Sequence, residues 1–406
     1  MNHVAFYLSN KDNKVEFVKR LVSGAVLPRL KHLKPAIFSE ETINKLISEE
    51  IRHDIYLVQT QVKNSLLHSS QGERKQALLD YIISKNPEYL IVDNIYDSLD
   101  TEAQVQLKHN LTEIANHIPL VQLAVRRSDI LPFIETVYRI EGKNRLVELQ
   151  NESKPTDTSR FRFQIPYSKP ENVKKEESLV RFKNVSIKYK ERCVLNNISW
   201  EIKSGEFWQL IGKNGSGKTT ILSLITGENP KAYQQDITLF GFKKGSGESI
   251  WDIKKHIGSF SSEYLRGFRR LDSVENMMLS GFYDSIGLYK YPNEREILVA
   301  KQWLNILGFY ELRKQPFLSL SKGYQRLILI ARAMVKQPKL LVLDEPTNDL
   351  DDHDATLFCE LVNKIASETQ TAILYVSHRK EPNLKPQFIY QLTTNTSGSI
   401  GSIVNV

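Results

Sequence analysis

Between residues 212 and 219 the chain reads Gly212-Lys213-Asn214-Gly215-Ser216-Gly217-Lys218-Thr219. Glycines spaced this way let successive backbone N–H groups turn inward toward one anion, and a helix beginning near Lys218 adds its positive end. Lys218 is suited to reach the β- and γ-phosphates of a nucleotide, and the Thr219 hydroxyl to bind Mg2+. A second set of groups lies downstream, where Asp344 and Glu345 close the apolar run Leu340-Leu341-Val342-Leu343. Asp344 suits a Mg2+-water contact, and Glu345 suits general-base polarisation of an attacking water. Together these groups describe phosphoryl transfer to water.

Such groups act only if the backbone delivers them to one place. The stretch Phe207-Trp208-Gln209-Leu210-Ile211 reads as a strand entering the loop, and Thr220-Ile221-Leu222-Ser223-Leu224 as the helix leaving it. The uninterrupted apolar run 340–343 is expected for a parallel strand buried on both faces. Open α/β sheets bind ligands at the carboxyl ends of their strands, where the loop and both carboxylates fall. The fold class is α/β.

The loop occurs once, but its downstream context occurs twice. Leu320-Ser321-Lys322-Gly323-Tyr324, Asp344 and His378 have an N-terminal echo in Ser69-Ser70-Gln71-Gly72-Glu73, Asp93 and Arg127. Ser70 to Asp93 is 23 positions, as is Ser321 to Asp344; Asp93 to Arg127 is 34, as is Asp344 to His378. Equal spacing across three landmarks indicates a tandem repeat of one nucleotide-binding fold.

On these motifs the chain resembles the ABC ATPase superfamily, a P-loop NTPase fold, over nearly its whole length. Leu320-Ser321-Lys322-Gly323-Tyr324 is similar to the family signature, Asn348-Asp349-Leu350-Asp351 to its D-loop, and Ser377-His378 to its switch histidine. The resemblance implies an ATPase with ATP and Mg2+ as ligands. It implies that Tyr189 stacks on adenine, that residues 212 to 219 and Thr220 hold the phosphates, and that Lys218, Glu345 and His378 are catalytic. The family's Q-loop glutamine falls at Ser262, a departure that weakens a coupling role there while leaving a hydroxyl for Mg2+ or water.

The N-terminal copy is expected to be truncated and degenerate. Aligning Leu21-Val22-Ser23-Gly24 with Leu224-Ile225-Thr226-Gly227 places Ser9 on Gly212 and Val15 on Lys218; a one-residue gap would instead bring Lys14 to the lysine position. Either way Asn10-Lys11-Asp12-Asn13-Lys14 has no glycine, and Cβ atoms would keep phosphates from the backbone. Only eight residues precede Ser9, so no adenine-stacking strand region is expected. Asn94 replaces the catalytic glutamate and Arg127 the histidine. What remains well formed is Ser70-Gln71-Gly72-Glu73, opening a helix that ends before Pro87, with Ser70 as its cap. In the family this element completes the ATP site of the opposite half. By resemblance, Ser70, Gln71, Gly72 and Glu73 therefore complete the site of Lys218, and the mirror site is dead.

A narrower resemblance, carried by residues 245–258 and 280–287 and by serine at the Q-loop position, is to the ModF-type ATP-binding proteins associated with molybdate transport. It implies coupling to a transport system. Two other functions are kept open: a ribosome-associated, ABC-F-like translation factor, and a non-catalytic module that binds ATP only to assemble. The ABC-F alternative conflicts with the absence of a long helical linker between two competent halves, and the non-catalytic one with intact Glu345 and His378.

Composition fits this picture. A length of 406 residues suits two domains. The expected division is a degenerate ABC domain over 1–150, a linker over 151–177 marked by Pro155, Pro166 and Pro170, and a complete domain over 178–406. Cys193 and Cys359 are too few and too far apart for a disulfide framework or zinc site. No apolar run approaches the roughly 20 residues of a membrane helix, and Met1-Asn2-His3-Val4-Ala5-Phe6-Tyr7-Leu8 lacks the form of a signal peptide. A cytoplasmic location is expected, with any membrane permease engaged by peripheral docking. The net charge of +8 arises from 55 Lys+Arg and 47 Asp+Glu, interspersed. The densest basic stretches are Lys174-Lys175, Lys243-Lys244 and Arg266 to Arg270, which read as solvated surface rather than as a nucleic-acid footprint.

Overall fold

The structure, a computed structural model, describes residues 3–404 apart from 60–64, 98, 142–144, 150–160, 162, 167–176, 266–267 and 380. Most of the expected linker 151–177 therefore lies outside the described residues, as do Lys174, Lys175 and Arg266. The chain forms two compact units. The first holds Met1–Thr156 together with Asp349–Asp352, and the second holds Asp157–Asn348 and His353–Val406.

The first unit is a six-stranded sheet of β1 (Val4–Tyr7), β2 (Pro35–Phe38), β3 (Tyr89–Asp93), β4 (Leu120–Ala124), β5 (Thr136–Glu141) and β6 (Arg145–Glu148). Its order is β2-β3-β4-β1-β5-β6, parallel except for β6. The helices are α1 (Lys14–Val22), α2 (Glu40–His53), α3 (Gln71–Ser84) and α4 (Thr101–Ala115). Tyr89, Leu90, Ile91 and Val92 on β3 are fully buried, because helices cover both faces of this parallel sheet.

The second unit repeats that sheet. Its strands are β7 (Ser178–Tyr189), β8 (Arg192–Lys203), β9 (Phe207–Gly212), β10 (Asp236–Leu239), β11 (Phe242–Lys243), β12 (Ile257–Ser261), β13 (Leu340–Asp344), β14 (Ala372–Val376), β15 (Phe388–Thr393) and β16 (Ile400–Val404). The central sheet runs β12-β13-β14-β9-β15-β16, the order of the first unit strand for strand, and again only its last strand is antiparallel. The helices are α5 (Lys218–Ile225), α6 (Ile250–Lys254), α7 (Val274–Leu279), α8 (Glu294–Leu307), α9 (Lys322–Met334) and α10 (Asp352–Glu368). The repeat extends to tertiary contacts: Lys75 Nζ donates to Ile95 O at 3.0 Å, and Arg326 Nη1, 251 positions later, donates to Pro346 O at 2.5 Å.

An antiparallel sheet of order β11-β10-β7-β8 distinguishes the second unit; among the described residues the first has no counterpart. Trp200 on β8 stacks on Tyr390 of β15 at 4.3 Å, the ring planes nearly parallel at 9°, and joins the two sheets through one apolar core. That core fixes the start of β8 against the loop that follows β9.

Candidate functional site

Every group of the candidate site sits at the carboxyl end of a central strand. β9 delivers Gly212, β13 delivers Asp344 and Glu345, and β14 leads into Ser377 and His378. The register sets Ser261, Asp344, Val376 and Leu210 side by side across four strands, so the loop and the acids emerge on one edge.

The loop returns into α5 at Gly217, whose φ of 97° is left-handed. A Cβ there would also lie 2.6 Å from Leu195 Cδ2, so only glycine fits. No side chain of its N-cap residue caps α5, and the N-terminal turn of a helix suits an anion. Lys218 is buried and donates to Gly212 O at 2.8 Å and Lys213 O at 3.0 Å, which holds its ammonium over the loop. Ser216 Oγ is buried with no hydrogen-bond partner. An orphaned hydroxyl, a helix N-terminus and a pinned lysine fit a bound polyphosphate. Thr219 is exposed at the first turn of α5 and Thr220 is half-buried beside it. Lys213, Asn214 and Gly215 are exposed along the loop.

Glu345 has a left-handed backbone, φ 46°, held by its N–H donating to Val376 O at 2.9 Å. The turn sends its carboxyl inward, where Oε1 lies 3.5 Å from His378 Nε2 and Oε2 is buried without a partner. Burial first, and then the neighbouring Asp344 charge, push the Glu345 carboxyl up to about 7; Lys218 and the Ser377–His378 donors oppose that shift. A carboxyl poised there takes up and releases a proton near neutrality, as a general base requires. The structure therefore brings Lys218, Asp344, Glu345 and His378 together. Ser262 follows the strand residue paired with Asp344 and is exposed. Tyr189 ends β7 with its ring 42% exposed and its hydroxyl accepting from Asn229 Nδ2 at 2.8 Å, which leaves aromatic surface for a base to cover.

The matching positions of the first unit are filled from within. Helix α1 begins at Lys14, as α5 begins at Lys218, so Lys14 and not Val15 holds the lysine position. The extra residue is absorbed inside the helix, which is 9 residues long against 8, before both end on a left-handed glycine, Gly24 and Gly227. Lys14 Nζ pairs with Asp93 Oδ1 at 2.5 Å. Carboxylates and an amide take the backbone donors: Ser9 N–H donates to Asp12 Oδ2 at 2.7 Å, Asn10 N–H to Asp351 Oδ2 at 2.7 Å, and Glu16 N–H to Asn13 Oδ1 at 3.1 Å. Asn94 Nδ2 donates to Asp97 and, at 2.9 Å, to Asp349 Oδ1. Arg127 opens a short turn with its N–H on Asp352 Oδ2 at 2.9 Å.

The two signature helices also differ. Ser70 caps α3 in a reciprocal box, in which Ser70 Oγ accepts from Glu73 N–H at 3.3 Å and Glu73 Oε2 accepts from Ser70 N–H at 2.7 Å. The Ser70 backbone N–H first, and then the Ser70 hydroxyl, hold the Glu73 carboxyl below its ordinary range. Gln71 Oε1 is buried without a partner. Ser321 caps α9 through Tyr324 N–H at 3.3 Å, with no acid to complete a box. A Cβ on Gly72 would meet only Ala103 Cβ, at 3.7 Å, whereas one on Gly323 would collide with the Asp354 carboxylate at 2.0 Å. Sequence reasoning named Asp351 in the D-loop and Asp12 in the degenerate loop without their bonds to the Asn10 and Ser9 N–H groups, and it missed Asp354. The available signal for Asp354 was the repeat itself, which sets it opposite Ala103.

A family model described as ABC transporter matches residues 195–348. The ABC transporter ATP-binding protein ModF of Escherichia coli is 38% identical over 335 residues, covering 77% of this chain and 67% of the relative. An ABC transporter ATP-binding protein of Schizosaccharomyces pombe is 32% identical over 330 residues, covering 78% of this chain and 66% of the relative. The chain thus spans about two thirds of the length of these relatives. Among solved structures, a chain from a model of ribosome-bound archaeal Pelota and ABCE1 matches all of this chain and 75% of its own, at a TM-score of 0.67 and 15% identity, a likeness of fold.

Proposed function

The chain belongs to the ATP-binding proteins of the ABC transporter family, and on that premise we propose that it binds one Mg2+-ATP and hydrolyses it slowly. The observation that carries this is the contrast between the two units: Glu345 stands beside His378 in one, and Lys14 is tied to Asp93 in the other.

In this reading Tyr189 covers the adenine, and the N–H groups from Gly212 to Thr220 hold the phosphates. Thr219 and Asp344 hold Mg2+, which when bound draws charge from the phosphate oxygens. Lys218 moves from the Gly212 and Lys213 carbonyls to the β- and γ-phosphates. Glu345 accepts the proton of the attacking water as its oxygen bonds to the γ-phosphorus and the bond to the β-phosphate oxygen breaks. His378 orients Glu345 and the γ-phosphate. Ser262 supplies a hydroxyl at the edge of the site.

We assign completion of the site to Ser70 and Gly72, with Gln71 beside them and Glu73 holding that helix end in shape. Gly72 supports this assignment. It sits in a helix at a cost of about 0.5–1 kcal/mol, yet neither a positive φ nor a crowding neighbour in its own unit calls for glycine. Close approach of a phosphate would. The name of the bacterial relative supports service to a transporter, and no helix among the described residues is long and apolar enough to cross a membrane. A permease would then be met by peripheral docking, from the cytoplasmic side. The test is phosphate release by the purified full chain. Turnover abolished in Glu345→Gln with ATP still bound supports the reading, and a wild type that binds ATP without releasing phosphate refutes hydrolysis.

A further inference from the structure

Four consecutive residues, Asp349 to Asp352, belong by their packing to the first unit, although β13, which leads into them, belongs to the second. Each is bonded to residues at or just beyond the carboxyl end of a parallel strand of the first sheet. At β1, the Tyr7 hydroxyl donates to Asp352 Oδ2 at 3.0 Å and the Asn10 N–H to Asp351 Oδ2 at 2.7 Å. Beyond β3, Asn94 Nδ2 donates to Asp349 Oδ1 at 2.9 Å, and the Asp349 N–H donates to Asp97 Oδ2 at 3.2 Å. Beyond β4, Arg126 Nε donates to the Leu350 carbonyl at 2.8 Å and the Arg127 N–H to Asp352 Oδ2 at 2.9 Å. Arg126, Leu350 and Asp351 are all buried.

The carboxyl ends of its strands are where an open α/β sheet binds ligands. In the second unit that edge carries the glycine loop and the paired acids; in the first it is taken by a peptide of this chain. Only Pro346, Thr347 and Asn348 separate that peptide from Glu345. The link is short and held: Arg326 Nη1 reaches Pro346 O at 2.5 Å, and Thr347 is fully buried. A shift of residues 349–352 therefore passes to the turn that aims the Glu345 carboxyl.

We propose that the strand-end site of the first unit binds the acidic segment Asp349-Leu350-Asp351-Asp352 in place of a nucleotide, and that by holding this segment it positions Glu345 for hydrolysis. Arg126 and Tyr7 are its positioning residues. Arg126 fixes the backbone of the segment through the Leu350 carbonyl, and Tyr7 fixes its end through the Asp352 carboxylate. The half without a glycine loop thereby acts in turnover without taking ATP. This rests on the one-site reading above, with Glu345 as the base.

The test is steady-state phosphate release, ATP titration and Tm on the full chain, for wild type, Tyr7→Phe, Arg126→Ala and Arg126→Lys. Tyr7→Phe removes one hydroxyl and keeps the ring under the Arg127 guanidinium, 5.7 Å from its centroid, so it tests the clamp even where Arg126→Ala fails to fold. The expected result is a fall in kcat of about threefold in Tyr7→Phe and about tenfold in Arg126→Ala, with ATP affinity unchanged in both. Arg126→Lys, which keeps a charged donor for the Leu350 carbonyl, should recover much of the kcat lost in Arg126→Ala. A merely structural role would lower Tm and leave kcat of the folded protein alone. Wild-type kcat in Tyr7→Phe and in every Arg126 variant that folds would overturn the clamp and leave the one-site reading standing. A fall in ATP affinity with kcat unchanged would overturn it equally. A wild type that binds ATP without releasing phosphate would overturn both the clamp and the reading it rests on.

Discussion

Glu345 and Asn94 hold the same backbone place in the two units. Both are left-handed, with φ of 46° and 47°, and both donate their N–H to the neighbouring strand, Glu345 to Val376 O at 2.9 Å and Asn94 to Leu123 O at 3.2 Å. The fold kept the turn that aims the side chain and changed the side chain. Asn94 carries an amide, without a carboxylate's basicity and on a side chain one methylene shorter, so this position has lost the base that Glu345 supplies.

Loss of that base makes the first prediction. Glu345→Gln should reduce turnover by roughly two to four orders of magnitude with ATP affinity retained. Lys218→Ala should instead weaken binding of the triphosphate, because its ammonium is held over the loop by the Gly212 and Lys213 carbonyls. Nucleotide titration and phosphate release on both variants check this. Equal loss of affinity in the two would undo the division of roles.

The position of the Glu345 titration gives a pH dependence. As a base it must be ionised, so kcat should rise through pH 7 and level off above it. For stability the sign is opposite. A carboxyl raised from 4.5 to about 7 by folding favours the native state below its unfolded pKa, and that contribution is lost as pH rises through 7. The full span corresponds to about 3 kcal/mol. Glu345→Gln should therefore raise the Tm at pH 8 and leave it nearly unchanged at pH 4.5, by calorimetry. An equal gain at both pH values would contradict the cause assigned to the shift.

In the first unit the ion pair does the work of a ligand. Lys14→Ala strips the cation from Asp93, whose carboxyl is already raised by burial against the pull of Lys14. The expected cost is about 1–3 kcal/mol, below that of a fully buried pair because Lys14 is partly exposed. It should shrink as pH falls and Asp93, whose carboxyl burial raises, takes up a proton. Thermal melts with and without Mg2+-ATP should show the same loss, since no nucleotide is expected at that loop.

The two signatures should answer differently to the same insult. Ser70→Arg puts a bulky cation at the α3 N-terminus and should remove most ATPase activity while nucleotide still binds. Ser321→Arg at α9 should leave most activity. Steady-state ATPase assays on the two variants check the order, and a reversed order would move the site to the C-terminal signature.

The candidate site of the second unit was legible in the sequence because its groups are local: glycines, lysine and threonine are contiguous, the paired acids adjoin, and an apolar strand precedes each set. The repeat was legible from spacing alone, and one strand order in both sheets gives it physical form. The register of the first loop was not fixed, because alignment from the far end of the helix, at Gly24 and Gly227, could not know that α1 carries an extra residue. The start of α1 at Lys14 decides between the two registers that the sequence left open, Val15 and Lys14. What the carboxylates of Asp12, Asp351 and Asp354 touch was invisible for the same reason. Each meets a backbone group that pattern does not record, Asp351 across 341 positions of chain.

The central claim is that one of the two homologous loops takes nucleotide. Calorimetric titration of the full-length Glu345→Gln chain with Mg2+-ATP measures it without interference from turnover. The account predicts one site per chain, abolished by adding Lys218→Ala and unaffected by adding Lys14→Ala. Two equivalent sites, or a site that survives Lys218→Ala and disappears with Lys14→Ala, would contradict it.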